Sequence, residues 1–303
     1  MTFAAGNPRH GVTTRLMSHS VFLSLCAFLA TFVIACSSIT PVPVWHSESR
    51  AFLLLPVEVN GIPTTSLLDT GTTNTVVSKE FADRIGIQGD PLKRDFPIEA
   101  SAPDAIQEGQ YANLNSFRVG SIRAKRKSGQ ALIVDLPHLS AQFGEDVTGI
   151  LGNATWSSAD YVLDARRPSF GISRRLRLAA SPEAYRLKVS GYRTYLPVEI
   201  NGRTFDFLLD TGSNASRVTQ EIIDELMPAN SDYIELEITT MGSTETRKFP
   251  DFHAAVKVGH VLIPEFTFLV GKENVIGLNL LRYGELSVGT REGKFIFRDR
   301  KGP

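Results

Sequence analysis

Two stretches of the sequence repeat each other: LPVEVNGIPTTSLLDTGTTNTVVS at residues 55–78 and LPVEINGRTFDFLLDTGSNASRVT at residues 196–219. They align without gaps, and twelve of the 24 positions are identical. Unrelated segments of this length would share only about one or two residues at average amino-acid usage. The match therefore indicates an internal duplication.

Each copy carries the same pattern of predicted elements. An alternating strand, at residues 57–59 or 198–200, runs into an Asn-Gly pair, which favours a two-residue hairpin turn. The return strand ends at an Asp-Thr-Gly triplet. Ser78 and Thr219 then stand at equivalent positions as candidate N-caps of short helices.

The similarity continues beyond these segments. Each half contains an apolar-apolar-glycine segment, at residues 150–152 in the first half and 275–277 in the second. Counted from these two glycines, a second ungapped register pairs Leu163 with Val288. The repeat therefore extends over whole lobes.

The duplication predicts an all-β protein with short helices, built of two lobes at residues 51–178 and 186–299. The formal net charge is zero, so the composition does not favour nucleic acid as a partner. The only cysteines are Cys26 and Cys36, and the sequence lacks His-Glu-x-x-His, Gly-x-Ser-x-Gly and phosphate-loop motifs. We therefore expect no metal and no cofactor.

The N-terminus has the pattern of an export signal. The apolar run VFLSLCAFLATFVIA, at residues 21–35, follows two arginines and is short for a membrane-spanning helix. It ends in Val-Ile-Ala before Cys36, which resembles a bacterial lipobox, where the signal peptide is cleaved before a cysteine that becomes lipidated. We expect a signal peptide at residues 1–35, and a lipidated Cys36 that begins a Ser- and Pro-rich tether at residues 36–50.

A lipidated Cys36 predicts an exported protein anchored by lipid to the bacterial cell envelope, on the periplasmic side. Ser37 and Ser38 follow the cysteine where no aspartate stands, which favours the outer membrane under the enterobacterial sorting rule. The alternatives are an uncleaved signal anchor and an ordinary secretory signal. Both of these also export the chain.

The two Asp-Thr-Gly triplets, with their downstream apolar-apolar-glycine segments, resemble the paired loops of the pepsin and retropepsin aspartic peptidases. The resemblance covers nearly all of the exported chain. It implies a two-lobed acid-protease fold with its active site between the lobes. It also implies that Asp69 and Asp210 are the catalytic pair and meet within one chain, so that a monomer suffices. It also implies supporting roles for the flanking residues and the two loop glycines, which are Thr70, Gly71, Thr72, Thr211, Gly212, Ser213, Gly152 and Gly277.

The chemistry explains why two carboxyl groups are needed. Two carboxylates a few ångströms apart do not both ionise readily, so they share a proton. The ionised member takes a proton from a water that attacks the scissile carbonyl, and the protonated member supports the developing charge on oxygen. The residues do not assign these roles between Asp69 and Asp210. The implied activity is that of an endopeptidase acting on an extended polypeptide.

The resemblance also predicts how the pair is held. Gly71 and Gly212 are expected to let the loop backbones approach each other without a Cβ clash. Hydrogen bonds from Thr70 and Thr211 should cross to the opposite loop.

Two further hydroxyls are expected to act on the carboxylates themselves. Those of Thr72 and Ser213 should bond to the outer carboxylate oxygens. Because such bonds stabilise the ionised form, we expect lowered pKa values and an acid-leaning optimum.

Two hairpins, at residues 96–118 and 233–257, are candidates for the flap that covers substrate in this group. The first has no tyrosine near its tip, which departs from the pepsin pattern. A second departure is Asn274, which takes the place of Gly149 and predicts a slight perturbation of the second supporting loop.

Two other interpretations remain open. The aspartates could be turn residues in an inactive scaffold, a periplasmic lipoprotein that binds peptides or partners. The stretch LLDTGTTNTVVS also resembles a phosphate loop of the actin and Hsp70 ATPase fold, but the second copy, DTGSNAS, lacks the consecutive glycines that such a loop needs.

Overall fold

The computed structural model describes most of both repeats. The described residues are 40–43, 45–46, 52–90, 96–99, 106–120, 122–123, 130–136, 139, 143, 147–156, 159–164, 169–226, 233–239, 244–250 and 252–299. The expectations of a signal peptide at residues 1–35 and of lipidation at Cys36 lie outside this part of the chain.

The first half is built mainly of strands. They are β1 (Thr40–Pro43), β2 (Trp45–His46), β3 (Leu53–Val59), β4 (Ile62–Leu68), β5 (Thr75–Ser78), β6 (Phe96–Glu99), β7 (Ile106–Asn113), β8 (Phe117–Val119), β9 (Ile122–Arg123), β10 (Gln130–Val134), β11 (Val147–Leu151), β12 (Asp160–Leu163) and β13 (Ser169–Ser173). Its helices are α1 (Lys79–Arg84) and α2 (Asn153–Trp156). One sheet has the order β6-β7-β10-β5-β11-β4-β3-β8-β9, with β2 beside β3.

The second half repeats this construction. Its strands are β14 (Tyr185–Arg186), β15 (Lys188–Ser190), β16 (Arg193–Ile200), β17 (Arg203–Leu209), β18 (Ser216–Val218), β19 (Tyr233–Thr239), β20 (Thr244–Pro250), β21 (Phe252–Val258), β22 (Val261–Val270), β23 (Val275–Ile276), β24 (Gly284–Gly289) and β25 (Lys294–Asp299). Helix α3 (Gln220–Leu226) and a 3₁₀ helix (Leu278–Arg282) complete it. The main sheet has the order β15-β16-β17-β23-β18-β22-β21, and β16 also pairs with β21.

The turns between β3 and β4 and between β16 and β17 confirm the predicted hairpins. Asn60 and Gly61 have φ angles of 51° and 84°, and Asn201 and Gly202 have 49° and 83°. Both residues of a type I′ turn need positive φ, which Asn and Gly adopt at least cost. Along β16 buried residues alternate with half-buried ones, as the sequence pattern predicts.

The first short helix also begins as predicted. The Ser78 side chain accepts a hydrogen bond from the Phe81 N–H at 3.3 Å, so it caps the N-terminus of α1. Thr219 holds the equivalent position before α3, where its carbonyl accepts bonds from the N–H groups of Ile222 and Ile223.

A third sheet joins the two halves of the chain. Its order is β1-β13-β12-β24-β25-β14, so the central pair β12–β24 takes one strand from each half. In that pair Tyr161 lies opposite Val288, Val162 opposite Ser287, and Leu163 opposite Leu286. Val162 and Ser287 are equivalent positions in the repeat. The local two-fold axis therefore passes between them.

A hydrophobic core runs through both lobes. Its fully buried side chains include Phe117 and Phe170 from the first half, and Phe207, Phe266 and Phe295 from the second. Burial of such side chains is the main source of stability, at about 2–3 kcal/mol each. The prediction of a mainly β, two-lobed protein is confirmed.

Part of the tether predicted for residues 36–50 forms a strand, at Thr40–Pro43. Strand β1 pairs antiparallel with β13, so that Thr40 lies opposite Ile172 and Pro43 opposite Ser169. Proline is tolerated there because β1 is the edge of its sheet, where one side of the strand needs no ladder bonds. Among the described residues, no helix is both long enough and apolar enough to cross a membrane.

Candidate active site

Asp69 and Asp210 stand at the ends of equivalent strands, β4 and β17. The Asp69 N–H donates to the Leu151 carbonyl at 3.1 Å, and the Asp210 N–H donates to the Ile276 carbonyl at 3.0 Å. Each acid is thus tied to the strand that precedes the supporting glycine of its own lobe.

Two threonines join the loops across the local two-fold axis. The Thr70 N–H donates to Thr211 Oγ1 at 3.1 Å, and the Thr211 N–H donates to Thr70 Oγ1 at 3.0 Å. The hydroxyls in turn donate to opposite carbonyls, Thr70 to Leu209 and Thr211 to Leu68, both at 2.8 Å. Both threonines are buried. These four bonds fix the separation of the loops, because a buried polar group that loses its partner costs about 1–3 kcal/mol.

The glycines of the triplets contact the opposite acids. A Cβ on Gly71 would lie 2.5 Å from Asp210 Cγ, and a Cβ on Gly212 would lie 2.5 Å from Asp69 Cγ. Real Cβ atoms do not approach so closely, so the two loops interlock only with glycine at both positions. This approach brings the two carboxyl groups close enough for each to influence the pKa of the other.

Backbone donors orient the two carboxyl groups unequally. Asp69 Oδ1 accepts from the N–H groups of Gly71 at 2.8 Å and Thr72 at 2.9 Å. Asp210 Oδ1 accepts from the Gly212 N–H at 2.9 Å, whereas the Ser213 N–H bonds to the Asp210 backbone carbonyl.

The expectation for the Thr72 and Ser213 hydroxyls needs correction. The Ser213 hydroxyl donates to the Ala215 carbonyl at 2.7 Å, and its single proton is then not available for Asp210. The group of Thr72 that reaches Asp69 is its backbone N–H.

The supporting glycines pack beneath the loops. Gly152 N–H donates to Thr75 Oγ1 at 3.2 Å, and Gly277 N–H donates to Ser216 Oγ at 2.9 Å. A Cβ on Gly152 would lie 2.3 Å from the carbonyl oxygen of Asn74, so the first loop also requires the small residue.

Asn274 takes the place of Gly149, and the second supporting strand differs from the first. A Cβ on Gly149 would lie 2.4 Å from the Val76 carbonyl oxygen. In the second lobe, the carboxamide oxygen of Asn274 accepts the Thr219 N–H at 3.0 Å, at the start of α3. Strand β23 has two residues, where β11 has five.

Arg217 is a residue of this site that the sequence analysis missed. Its Nη2 lies 3.6 Å from Asp210 Oδ2, and the arginine and aspartate side chains are 29% and 13% exposed. The signal was present in the alignment of the two copies, where Arg217 matches Val76. A charged residue in a buried strand of a duplicated core demands a partner.

The structure reverses the expected direction of both pKa shifts. Burial raises the pKa of Asp69 well above its usual range, and the negative charge of Asp210 raises it further. Burial also raises the pKa of Asp210, while the Arg217 guanidinium opposes that rise. The expectation of lowered pKa values is wrong because desolvation outweighs the N–H donors of the loops.

Both candidate flaps contain hairpins. Strands β6 and β7 pair with Glu99 opposite Ile106, and β19 and β20 pair with Thr239 opposite Thr244. The tips of both hairpins lie outside the described residues. In the described part of the chain, no group of three or more His, Cys, Asp or Glu side chains is arranged to hold a metal ion.

Comparisons with known families agree with this geometry. A model of the aspartyl protease family matches residues 55–155, and a model of the gag-polyprotein aspartyl protease family matches residues 196–283. Each match lies within one lobe and includes its acid loop and its supporting glycine. A search of curated proteins finds no significant match. The chain therefore belongs to the retropepsin-like aspartic peptidases, with the two lobes joined in one polypeptide.

Proposed function

We propose that the chain is an endopeptidase that hydrolyses peptide bonds of an extended polypeptide with the pair Asp69 and Asp210. The observation that carries this proposal is the interlocking of the two loops, in which each triplet glycine lies against the opposite carboxyl group. This arrangement holds two acids in contact, with neighbouring donors already in position.

The pair supplies an acid and a base together. One carboxylate accepts a proton from the attacking water, whose oxygen forms the new bond to the scissile carbon. The other carboxyl donates its proton to the carbonyl oxygen, so that a neutral tetrahedral intermediate forms. The raised pKa of Asp69 keeps one proton on the pair at a pH where an exposed aspartate has lost it. We therefore expect activity to extend above the strongly acid range.

The hairpins β6–β7 and β19–β20 are the proposed contacts for substrate backbone. An extended peptide that lies against hairpins from both lobes gains main-chain hydrogen bonds in the manner of an added strand.

The decisive experiment compares the full-length chain in detergent with Asp69→Asn and Asp210→Asn on a diverse peptide pool from pH 3 to 8. Asp83→Asn is the matched control, because Asp83 is exposed and pairs with Lys79 on the surface. We expect each active-site substitution to reduce cleavage by at least about a thousandfold and the control to leave it unchanged. Wild-type protein that binds peptides and cleaves none would instead support the inactive scaffold.

Anchoring of the chain is a separate part of the proposal. We propose that Cys36 is lipidated and holds the peptidase at the periplasmic face of the cell envelope, where it would trim envelope proteins. Mass spectrometry of the mature N-terminus should find a diacylglyceryl mass on Cys36. A Cys36→Ala variant that still fractionates with membranes at high salt would contradict this.

A further inference from the structure

The two acids stand at equivalent positions of the repeat and have different surroundings. In the first lobe Val76 pairs with Leu132, and Val134 pairs with Ser78 two residues further along. In the second lobe Arg217 takes the place of Val76 and pairs with Leu269. Gly271 stands two residues after Leu269, at the position that Val134 holds in the first lobe. A valine at each of two positions of the first lobe is therefore replaced by an arginine and a glycine in the second.

The glycine makes room for the arginine. A Cβ on Gly271 would lie 3.0 Å from both Cβ and Cδ of Arg217, so a larger residue there would displace the arginine stem. The Gly271 N–H donates to the Val218 carbonyl at 2.8 Å, which fixes the backbone under that stem. The stem is thereby directed along the loop toward Asp210, where the guanidinium lies 3.6 Å from Oδ2.

No equivalent cation stands beside Asp69 in the described structure. Val76 occupies that position and belongs to an apolar cluster that includes Leu54 and Leu67. The charged groups that act on Asp210 are Asp69 and Arg217.

The next charges along the chain are directed elsewhere. Lys272 and Glu273 are exposed, and Glu273 lies 3.5 Å from Arg193.

We propose that Arg217 is a positioning residue that holds Asp210 as the ionised member of the pair and leaves the shared proton on Asp69. The assignment of catalytic roles that follows from it rests on the proposed peptidase function. Asp210 then takes the proton of the attacking water, the oxygen lone pair of that water forms the bond to carbon, and Asp69 gives its proton to the carbonyl oxygen.

The first test does not need activity. We would titrate the aspartate carboxyl carbons of the full-length chain by ¹³C NMR in two backgrounds that leave one acid each, Asp69→Asn and Asp210→Asn. Adding Arg217→Met should raise the pKa of the remaining Asp210 by about one unit in the first background, because an opposite charge within about 4–6 Å lowers a carboxyl pKa. The remaining Asp69 should shift by less than a third of that in the second background.

Arg217→Lys should restore most of the Asp210 value, since it keeps the charge. Arg203→Met is the control, because Arg203 is an exposed arginine of the same lobe that pairs with Glu225. Equal shifts of the two acids, or no shift in either, would overturn the proposal.

A second variant separates loss of the arginine charge from loss of packing around the arginine stem. Arg217→Val with Gly271→Val restores the valine pair of the first lobe, so it removes the charge and fills the space with apolar atoms. It should reproduce the Arg217→Met titration.

The second test uses the pH profile of cleavage. In Arg217→Met the acid limb of kcat/KM should move up by about one pH unit, which is a roughly tenfold loss on that limb, while the alkaline limb stays within about 0.3 unit. An acid limb that does not move in an active variant would overturn the assignment. Absence of cleavage in wild type would refute the peptidase proposal and leave the NMR result to decide the protonation proposal.

Discussion

Gly71 lies against the Asp210 carboxyl so closely that a methyl group at its α-carbon would come within 2.6 Å of Asp210 Oδ1. Gly212 has the same relationship to Asp69. Each carboxyl group is therefore positioned by the backbone of the other lobe as well as by its own.

Gly71→Ala should separate the two loops. The new methyl group meets Asp210 directly, and the resulting shift of loop and carboxyl should cost about 1–3 kcal/mol of stability. Because catalysis depends on sub-ångström placement, cleavage should fall at least about a hundredfold. Urea unfolding and peptide cleavage measure the two effects. Gly212→Ala should have the same two effects. A variant that cleaves peptide at the wild-type rate would contradict the interlocked geometry.

The threonine exchange across the axis predicts a large difference between two small substitutions. Thr211→Val removes the hydroxyl that accepts from Thr70 N–H and donates to the Leu68 carbonyl, so two buried groups lose their partner. We expect a loss of about 2–4 kcal/mol in the free energy of unfolding. Thr211→Ser keeps both bonds and should cost less than about 1.5 kcal/mol. Equal losses in the two variants would show that the bonds contribute little.

The buried acid pair predicts a dependence of stability on pH. The folded state binds a proton on Asp69 more tightly than the unfolded chain does, because the pKa of Asp69 is raised by folding. The contribution of Asp69 to stability is therefore greatest below its unfolded pKa of about 3.9, and this contribution falls as pH rises toward the folded value. The slope from this one group is at most about 1.4 kcal/mol per pH unit.

Asp69→Asn should remove that slope and make the protein more stable than wild type near neutral pH. Unfolding curves from pH 4 to 7 measure it, with the exposed Asp83→Asn as the control. Parallel stability profiles for wild type and Asp69→Asn would mean that folding does not raise the pKa.

We expect Asn274 to contribute to stability through its carboxamide oxygen, which accepts a hydrogen bond, rather than through the size of its side chain. Asn274→Ala leaves the Thr219 N–H at the start of α3 without its side-chain partner, which should cost about 1 kcal/mol. Asn274→Asp keeps an oxygen at the same place and should cost less than half of that. The free energy of unfolding in urea distinguishes the two, and indistinguishable variants would assign the bond no net value.

Local patterns in the sequence predicted much of this structure. The Asn-Gly pairs at residues 60–61 and 201–202 take the turn geometry that their conformational freedom favours, and Ser78 caps a helix. These features depend on residues close in sequence. Because the two lobes are repeats, each feature predicted in one lobe was also predicted at the equivalent position of the other.

The features that the sequence did not predict depend on distant parts of the chain. Strand β1, whose sequence is Thr-Pro-Val-Pro, forms by pairing with β13, which lies more than 120 residues further along the chain. The direction of the Asp69 pKa shift depends on how completely the loops exclude water, which no local pattern records. Ser213 and Thr72 are equivalent in the repeat, yet the Ser213 hydroxyl donates to the Ala215 carbonyl, whereas Thr72 contributes its backbone N–H to Asp69.

The pairing of Val162 with Ser287 has a consequence for how the protein can change. In a symmetric homodimer one codon would encode both positions, so every substitution would appear on both sides of the axis. Here each side is encoded separately, so an arginine can stand beside one acid while a valine remains beside the other. Because the two halves are encoded separately, a mutation can change the surroundings of one aspartate and leave those of the other unchanged. The two aspartates can therefore acquire different roles.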